Sequence, residues 1–482
     1  MIDLPDRVVG DARTSDFGWE LLTDLTDIGN RMAGSTGERR GAERVVDAYR
    51  EAGLRNAGLA EFEIPGWWRG ASAIELSGPV SRRHAGSHEV IALPGTPDGD
   101  VTAPVVDVGD GTYEAFEAAG DAVDGAIVMV TSDTPDTHNR WLHRMEKYAT
   151  AADHGAVGFV FRNHIEGALP PTGEIGYHNR PGPIPAVGVS KEVGERIARF
   201  APTVEGPGDT PTGESREDTP AADQRDDTPA AEPLTLSIDI DCRNEPTTSV
   251  NAVADVGPDT DEAVLLTAHV DAHDVSDGAN DNGAGSALVA EVGRLLATVE
   301  GDLTTRVRLI TFGSEEIGLW GAYHTAETTP HDTIRCVINL DGACNSRNLR
   351  VGTNGFDGMQ TVFEAVADGF DAPLAVGDTI SPHGDQWAFV QEGIPAVMAS
   401  TTSDHSGRGW GHTHADTLDK LDPRDLREVA TLIAEATYRI AGPGEDPAHG
   451  STIDHRDRTA IQSAIPDGYV QELQTGGRWP YE

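Results

Sequence analysis

The chain has 482 residues, enough for roughly three structural units and a sizeable buried core. Its 36 basic residues face 80 acidic ones, a formal net charge of −44; such a surface repels phosphate backbones and anionic lipid, which argues against nucleic-acid or membrane-surface binding. No stretch approaches the ~18 uncharged apolar residues of a spanning helix, and the opening MIDLPDRVVGD has neither the basic start nor the apolar run of a secretory signal, so a cytoplasmic location is expected.

The only lysines are Lys147, Lys191 and Lys420. That imbalance predicts adaptation to molar salt, where the Debye length falls to about 3 Å and self-repulsion is screened. Cys242, Cys336 and Cys344 show no CxxC spacing, so neither a disulfide framework nor a thiolate zinc site is expected.

From Trp19 to Tyr49 apolar residues recur at helical spacing, with Ala42, Val45, Val46 and Tyr49 on one face. Residues 1–75 are therefore expected to open the main domain. Over 76–201 short β-branched runs such as APVVDV and GAIVMV alternate with turns, which predicts a small inserted α+β domain. Residues 202–233 repeat Asp-Thr-Pro from Asp209, Asp218 and Asp227 with almost no large apolar side chains, and are expected to be a disordered acidic loop.

From 234 to 445 the pattern is strand–helix alternation. AVLLTA, RVRLITF and RCVINL are continuous apolar runs, as in strands buried on both faces, while SALVAEVGRLLATV and LREVATLIAEATYRIA carry helical periodicity. The predicted class is α/β, a mostly parallel, mixed sheet sandwiched by helices. The tail 446–482 has no strong period, although Tyr469, Trp479 and Tyr481 offer surface to dock.

Polar, metal-competent residues follow each predicted strand: His269 and Asp271 after the first, Glu315 and Glu316 after the second, Asp341 after the third. Open α/β sheets bind ligands at the carboxyl ends of their strands, so these segments are expected to meet in one crevice. Between the first two strands the Gly-flanked turn GANDNG carries Asp281, and beyond the last lies His412 in HTHADT.

HVDAHDVSDGANDNGAG, TFGSEEIGLWGA, NLDGA and GHTHADT, taken in that order, resemble the co-catalytic dizinc exopeptidase family of zinc aminopeptidases, glutamate carboxypeptidase and carboxypeptidase Q, the last subgroup most of all. DIGNRMAGSTGERRGAERVVDAYREAGL, FEIPGWWRG and HGDQWAFVQEGIPAV extend the resemblance over nearly the whole chain, and residues 121–163 are similar to a protease-associated insert domain. The resemblance implies a phosphorylase/peptidase-like fold and two Zn²⁺ per chain, with Co²⁺ or Mn²⁺ as substitutes. It implies that His269 and Asp341 bind one ion, Glu316 and His412 the other, and that Asp281 bridges both. Glu315 is then the general base, and Asp271 holds the second ring nitrogen of His269. Two divalent cations against three ligating carboxylates and a hydroxide leave such a cluster formally neutral.

The expected substrate is a peptide or dipeptide, taken by aminopeptidase or dipeptidase action. Arg408 is a candidate for holding a substrate carboxylate, and His383, Asp385, Trp387 and Trp410 are candidates for the pocket wall. The family resemblance leaves room for a homodimer. Two other readings share the scaffold: a glutaminyl cyclase-like acyltransferase with one zinc, and a metal-free, receptor-like binding protein.

Overall fold

Branched, continuous apolar runs in the second half of the chain form strands that are buried on both faces, and helices cover them. The computed structural model describes residues 3–138, 140–176, 180–202, 233–403, 410–442 and 452–481. The expected acidic loop lies, but for its two end residues, outside the described residues, as does Arg408. The chain divides into two units, one of residues 1–67 with 244–482 and one of 68–243. Both divisions fall inside long strands, Arg55–Ser77 and Thr235–Val256. A boundary within a continuous strand leaves no compositional break to read.

After a short helix at Asp6–Ala12, the first unit continues with helices α1 (Phe17–Ile28) and α2 (Thr36–Glu51). The second of these begins sharply because the Ser35 hydroxyl accepts from Glu38 N at 3.1 Å, an N-cap that contributes about 1 kcal/mol. Ala42, Val45, Val46 and Tyr49 all face the core.

Besides the start of Arg55–Ser77, the strands of this unit are β1 (Thr235–Val256, from residue 244 on), β2 (Ala263–His269), β3 (Arg306–Phe312), β4 (Ile334–Leu340), β5 (Leu349–Gly352), β6 (Leu374–Gly377) and β7 (Ala396–Thr401). Their order across the sheet is β6-β5-β7-β4-β2-β3-β1. Neighbours β7, β4, β2 and β3 run parallel, while β1 joins β3 and β5 joins β7 antiparallel.

Helix α3 (Ala284–Ala297) packs on one face of this sheet with α1, α2 and the helix at Pro423–Ala441. There Leu309 of β3 presses against Gly293. The helix at Trp320–Thr328 packs against β3 as well. Every residue of β2 is buried, which is why its sequence shows no polar alternation.

Beyond residue 452 the chain forms two short helices, Arg458–Ala464 and Asp467–Thr475. Neither is long enough to show a period in sequence. Tyr469 and Tyr481 join the main core, and Trp479 packs against it half-buried. Among the described residues no helix is long and apolar enough to cross a membrane.

In the second unit, parallel strands at Gly99–Asp107, Ile127–Thr131, Gly158–Arg162 and Ala186–Val189 are edged by an antiparallel strand at Val90–Ala92. Val128, Val130, Phe159 and Phe161 pack with Phe116 and Tyr148 from its helices. Lys147 is wholly buried here, its ammonium donating to the carbonyls of Thr131 at 2.9 Å and Asp133 at 2.7 Å.

Burial pulls the Lys147 amine down to about 8, against the opposing attraction of Asp110 and Asp133. Between that value and the ordinary one the unfolded chain binds the proton more tightly, so stability should rise with pH through this window. The gain is on the order of 3 kcal/mol. Thermal unfolding of wild type and Lys147→Met at pH 7.5 and pH 10 checks this: the variant should lack the rise.

Candidate metal centre

Parallel β2, β3, β4 and β7 all end at the same edge of the sheet, and the residues that follow them converge. His269 is the last residue of β2 and lies in register with Phe312 of β3. Glu315 and Glu316 follow three and four residues beyond Phe312, and Asp341 follows Leu340 of β4. His412 lies in the loop after β7, at φ 57, a left-handed conformation uncommon for a non-glycine residue.

Asp281 sits in the turn that feeds α3, joined to Asn282 by a cis peptide bond. Gly278 starts that turn at φ +58, and a Cβ there would lie 2.3 Å from the Ala272 side chain. Only glycine fits.

One carboxylate spans the site: Asp281 Oδ1 lies 3.3 Å from His269 Nε2, and its Oδ2 lies 3.1 Å from His412 Nε2. On the His269 side, Asp341 Oδ1 and Glu315 Oε2 stand 3.8 Å and 4.0 Å from the same ring nitrogen. On the other side Glu316 Oε2 is 3.3 Å from His412 Nε2 and 2.8 Å from His273 Nε2. The structure therefore brings together His269, Asp281, Glu315, Glu316, Asp341 and His412.

These spacings suit a cation. Donors around a four-coordinate zinc at about 2.0–2.2 Å stand roughly 3.3–3.6 Å apart, close to the separations found. His269 Nε2 is buried and makes no well-directed hydrogen bond among the described residues, although the carboxylates of Asp281, Asp341 and Glu315 lie 3.3 Å, 3.8 Å and 4.0 Å from it. A lone pair aimed at anionic oxygens is poorly placed unless a positive charge lies between them.

The electrostatics of the cluster carry the same strain. Burial raises the Glu315 carboxyl well above its ordinary range; the charge of His269 opposes this, and Glu316, Asp385 and Asp341 add repulsion. Burial would lower the His269 imidazole, but Glu315 and the hydrogen-bonding carboxylates of Asp271, Asp281 and Asp341 raise it well above 6.5. Asp281 is held far down, against its burial, by hydrogen bonds with His269 and His412. A divalent cation among these groups supplies the positive charge that the imidazoles otherwise have to carry.

Asp271 does more than its sequence position suggests. Its carboxylate accepts from the amides of Glu315 at 3.1 Å and Glu316 at 3.2 Å, and so fixes both glutamates. The Nδ1 of His269 is instead 3.1 Å from the Asp271 backbone carbonyl, with the carboxylate further off at 3.5 Å. Asp416 clamps the neighbouring turn by accepting from Asn280 N at 2.9 Å and Asp281 N at 3.0 Å.

Among the expected wall residues, Trp387 is buried in the main core. Its long apolar ring is better served by packing than by solvent. His383 Nε2 lies 3.5 Å from Glu472 of the last helix, and Lys420 stands 5.4 Å over the Trp410 ring. Asp385 is fully buried with neither oxygen hydrogen-bonded among the described residues. Burial raises its carboxyl well above the ordinary range, with the charge of His269 opposing and Asp271, Asp341 and Glu316 adding to it.

Two residues with no assigned role belong to this centre. Arg31, wholly buried, donates to the carbonyls of Val270, Leu25, Asp277 and Gly278 at 2.7–2.9 Å, and so ties the end of β2 to the turn carrying Asp281. Nothing local in GNRMAG announces those partners. His273 joins Glu316 and His412 in one group, a donor atom of each lying within 4.8 Å of the others. The alternation His269-Val270-Asp271-Ala272-His273 is the sequence signal for it, a metal-competent side chain at every second position after β2.

Residues 251–437 match Peptidase family M28, and residues 101–197 match the PA domain. Aminopeptidase YwaD of Bacillus subtilis is 25% identical over 446 residues, covering 89% of this chain and 85% of its own. Carboxypeptidase Q of Bos taurus is 24% identical over 441 residues, covering 88% and 85%. In fold, the chain is similar to a Peptidase M28 precursor from Shewanella amazonensis, with a TM-score of 0.71 at 22% identity over 92% of this chain and 96% of that one. BSAP, a zinc aminopeptidase from Bacillus subtilis, gives 0.65 at 23% identity, over 90% and 97%. The chain thus carries a Peptidase family M28 domain and a PA domain, and it is a metallopeptidase.

The Asp271 contacts carry a prediction. Asp271→Asn places an amide where two backbone N–H groups need an acceptor, and should lower metal affinity or kcat by about 10–100-fold. Metal titration and steady-state kinetics on the variant measure both.

Proposed function

We propose that this metallopeptidase is a zinc-dependent exopeptidase that holds two ions. His269 and Asp341 serve one ion, Glu316 and His412 the other, and Asp281 is shared. The observation that carries this reading is Asp281, whose two oxygens face imidazoles of opposite sides at 3.3 Å and 3.1 Å. A carboxylate placed so can bridge the ~3.5–4 Å between the ions of a two-metal site. The names of the similar proteins, a zinc aminopeptidase and carboxypeptidase Q among them, point the same way.

Bound zinc supplies Lewis acidity, polarising the scissile carbonyl and lowering the pKa of water towards 7. Glu315 stands beside His269 and keeps partial access to solvent, as a general base must. It accepts the proton of the attacking water and returns it to the departing amine. Its neighbour Glu316 is buried and committed to His412 and His273. Adjacent side chains point apart, so the two glutamates divide the work. The other carboxylates of the crevice suit the free α-amino group of an aminopeptidase or dipeptidase substrate.

The excess of 80 acidic residues against 36 basic ones supports a working environment of molar salt. Melting temperature should climb with KCl; a flat series would remove that part of the proposal.

The Glu315→Gln variant should keep its zinc and lose about 10²–10⁴-fold in kcat; near-normal turnover would show that another group moves the proton. Chelation should abolish hydrolysis of free dipeptides and aminoacyl anilides, and zinc or cobalt should restore it. Two zinc ions per chain are expected, against one for a cyclase-like relative.

A further inference from the structure

We infer that His273 is a ligand of the second metal site, which then holds its ion with four protein side chains: His273, His412, Glu316 and Asp281. The inference rests on the two-ion reading above and extends it. Only the His412 side of the site gains a donor.

Three observations support it. The ring is buried, 2% exposed, two residues beyond Asp271 in the segment that directly follows β2 and His269. Its Nε2 is 2.8 Å from Glu316 Oε2, the same oxygen that stands 3.3 Å from His412 Nε2. The two imidazoles meet edge to face with centroids 4.4 Å apart. Asp281 Oδ2, 3.1 Å from His412 Nε2, adds the fourth donor. Separations of 2.8 to 3.3 Å between such atoms approach the roughly 3.3–3.6 Å of a tetrahedral zinc shell.

A neutral ring with its hydrogen on Nε2 can donate to Glu316 Oε2, but both rings are aimed at that one oxygen, at 2.8 Å and 3.3 Å. A cation between the rings and the carboxylates satisfies all four donors at once.

The two sites would then differ in kind. His269, Asp341 and the shared Asp281 leave an open position, as catalytic zinc sites do, whereas four protein donors resemble the closed set of a structural site. Two imidazoles also make the second site the softer one, favouring zinc or cobalt over manganese. It should be the tighter of the two and the last to release its ion, while substrate is engaged at the other.

The test begins with the unaltered full chain loaded with two equivalents of zinc. X-ray absorption at the zinc edge should show three imidazoles per pair of ions. Two per pair would overturn the inference, whatever the effect of substitutions. Titration of metal-free protein with Co²⁺ and Zn²⁺, followed by calorimetry and the cobalt visible spectrum, should give two steps. His273→Gln should weaken the tighter step at least about tenfold and change the cobalt bands, leaving the weaker step in place. If His273→Gln leaves both steps and the spectrum as in wild type while His412→Ala loses one step, His273 is no ligand but the two-ion reading stands. If the wild-type chain takes up a single ion, or His412→Ala changes nothing, the two-ion reading itself fails, and this inference fails with it.

Discussion

The peptidase unit is organised around mutual repulsion among buried carboxylates. Asp271, Asp281, Glu316, Asp341, Asp385 and Glu315 share one crevice, with imidazoles among them and the Arg31 guanidinium near Asp271 and Glu316 as positive partners. Desolvation makes this arrangement expensive for an apoprotein. Placing divalent cations among the side chains turns that cost into binding energy. The rest of the local structure holds the donors where such cations require them.

Rigid elements do that holding. Parallel β2, β3 and β4 deliver their last residues to a common edge, and the sheet between two helical layers permits little adjustment. The intervening turns are braced from behind. Arg31 gathers four carbonyls, Asp271 holds the amides of both glutamates, and Asp416 holds those before and at Asp281. Arg31 is itself pulled down to about 10 by burial, with Asp416 and Asp271 opposing. Its positive charge thus lies beneath the carboxylate cluster as well as within the backbone.

The legible parts of the sequence were those with a local cause. AVLLTA, RVRLITF and RCVINL read as strands because burial on both faces demands unbroken apolar runs, and the structure places strands there. The helix over Ala284–Ala297 carries its own period. The short helices after residue 457 do not, having too few turns to display one. Trp387, two residues from Asp385, packs in the hydrophobic core, a placement its neighbours in sequence do not announce.

By itself the sequence determined the α/β class, the order of the metal-competent segments and the excess of negative charge, because hydrophobic periodicity, turn chemistry and composition are properties of neighbouring residues. Tertiary structure alone decided that Asp281 faces two imidazoles at once, that Asp271 serves amides forty-odd positions away, that Arg31 underlies the site, and that His273 meets Glu316. Those contacts join residues far apart along the chain through carbonyls, amides and ring nitrogens. Their geometry exists only after the strands have paired and the turns have closed over them.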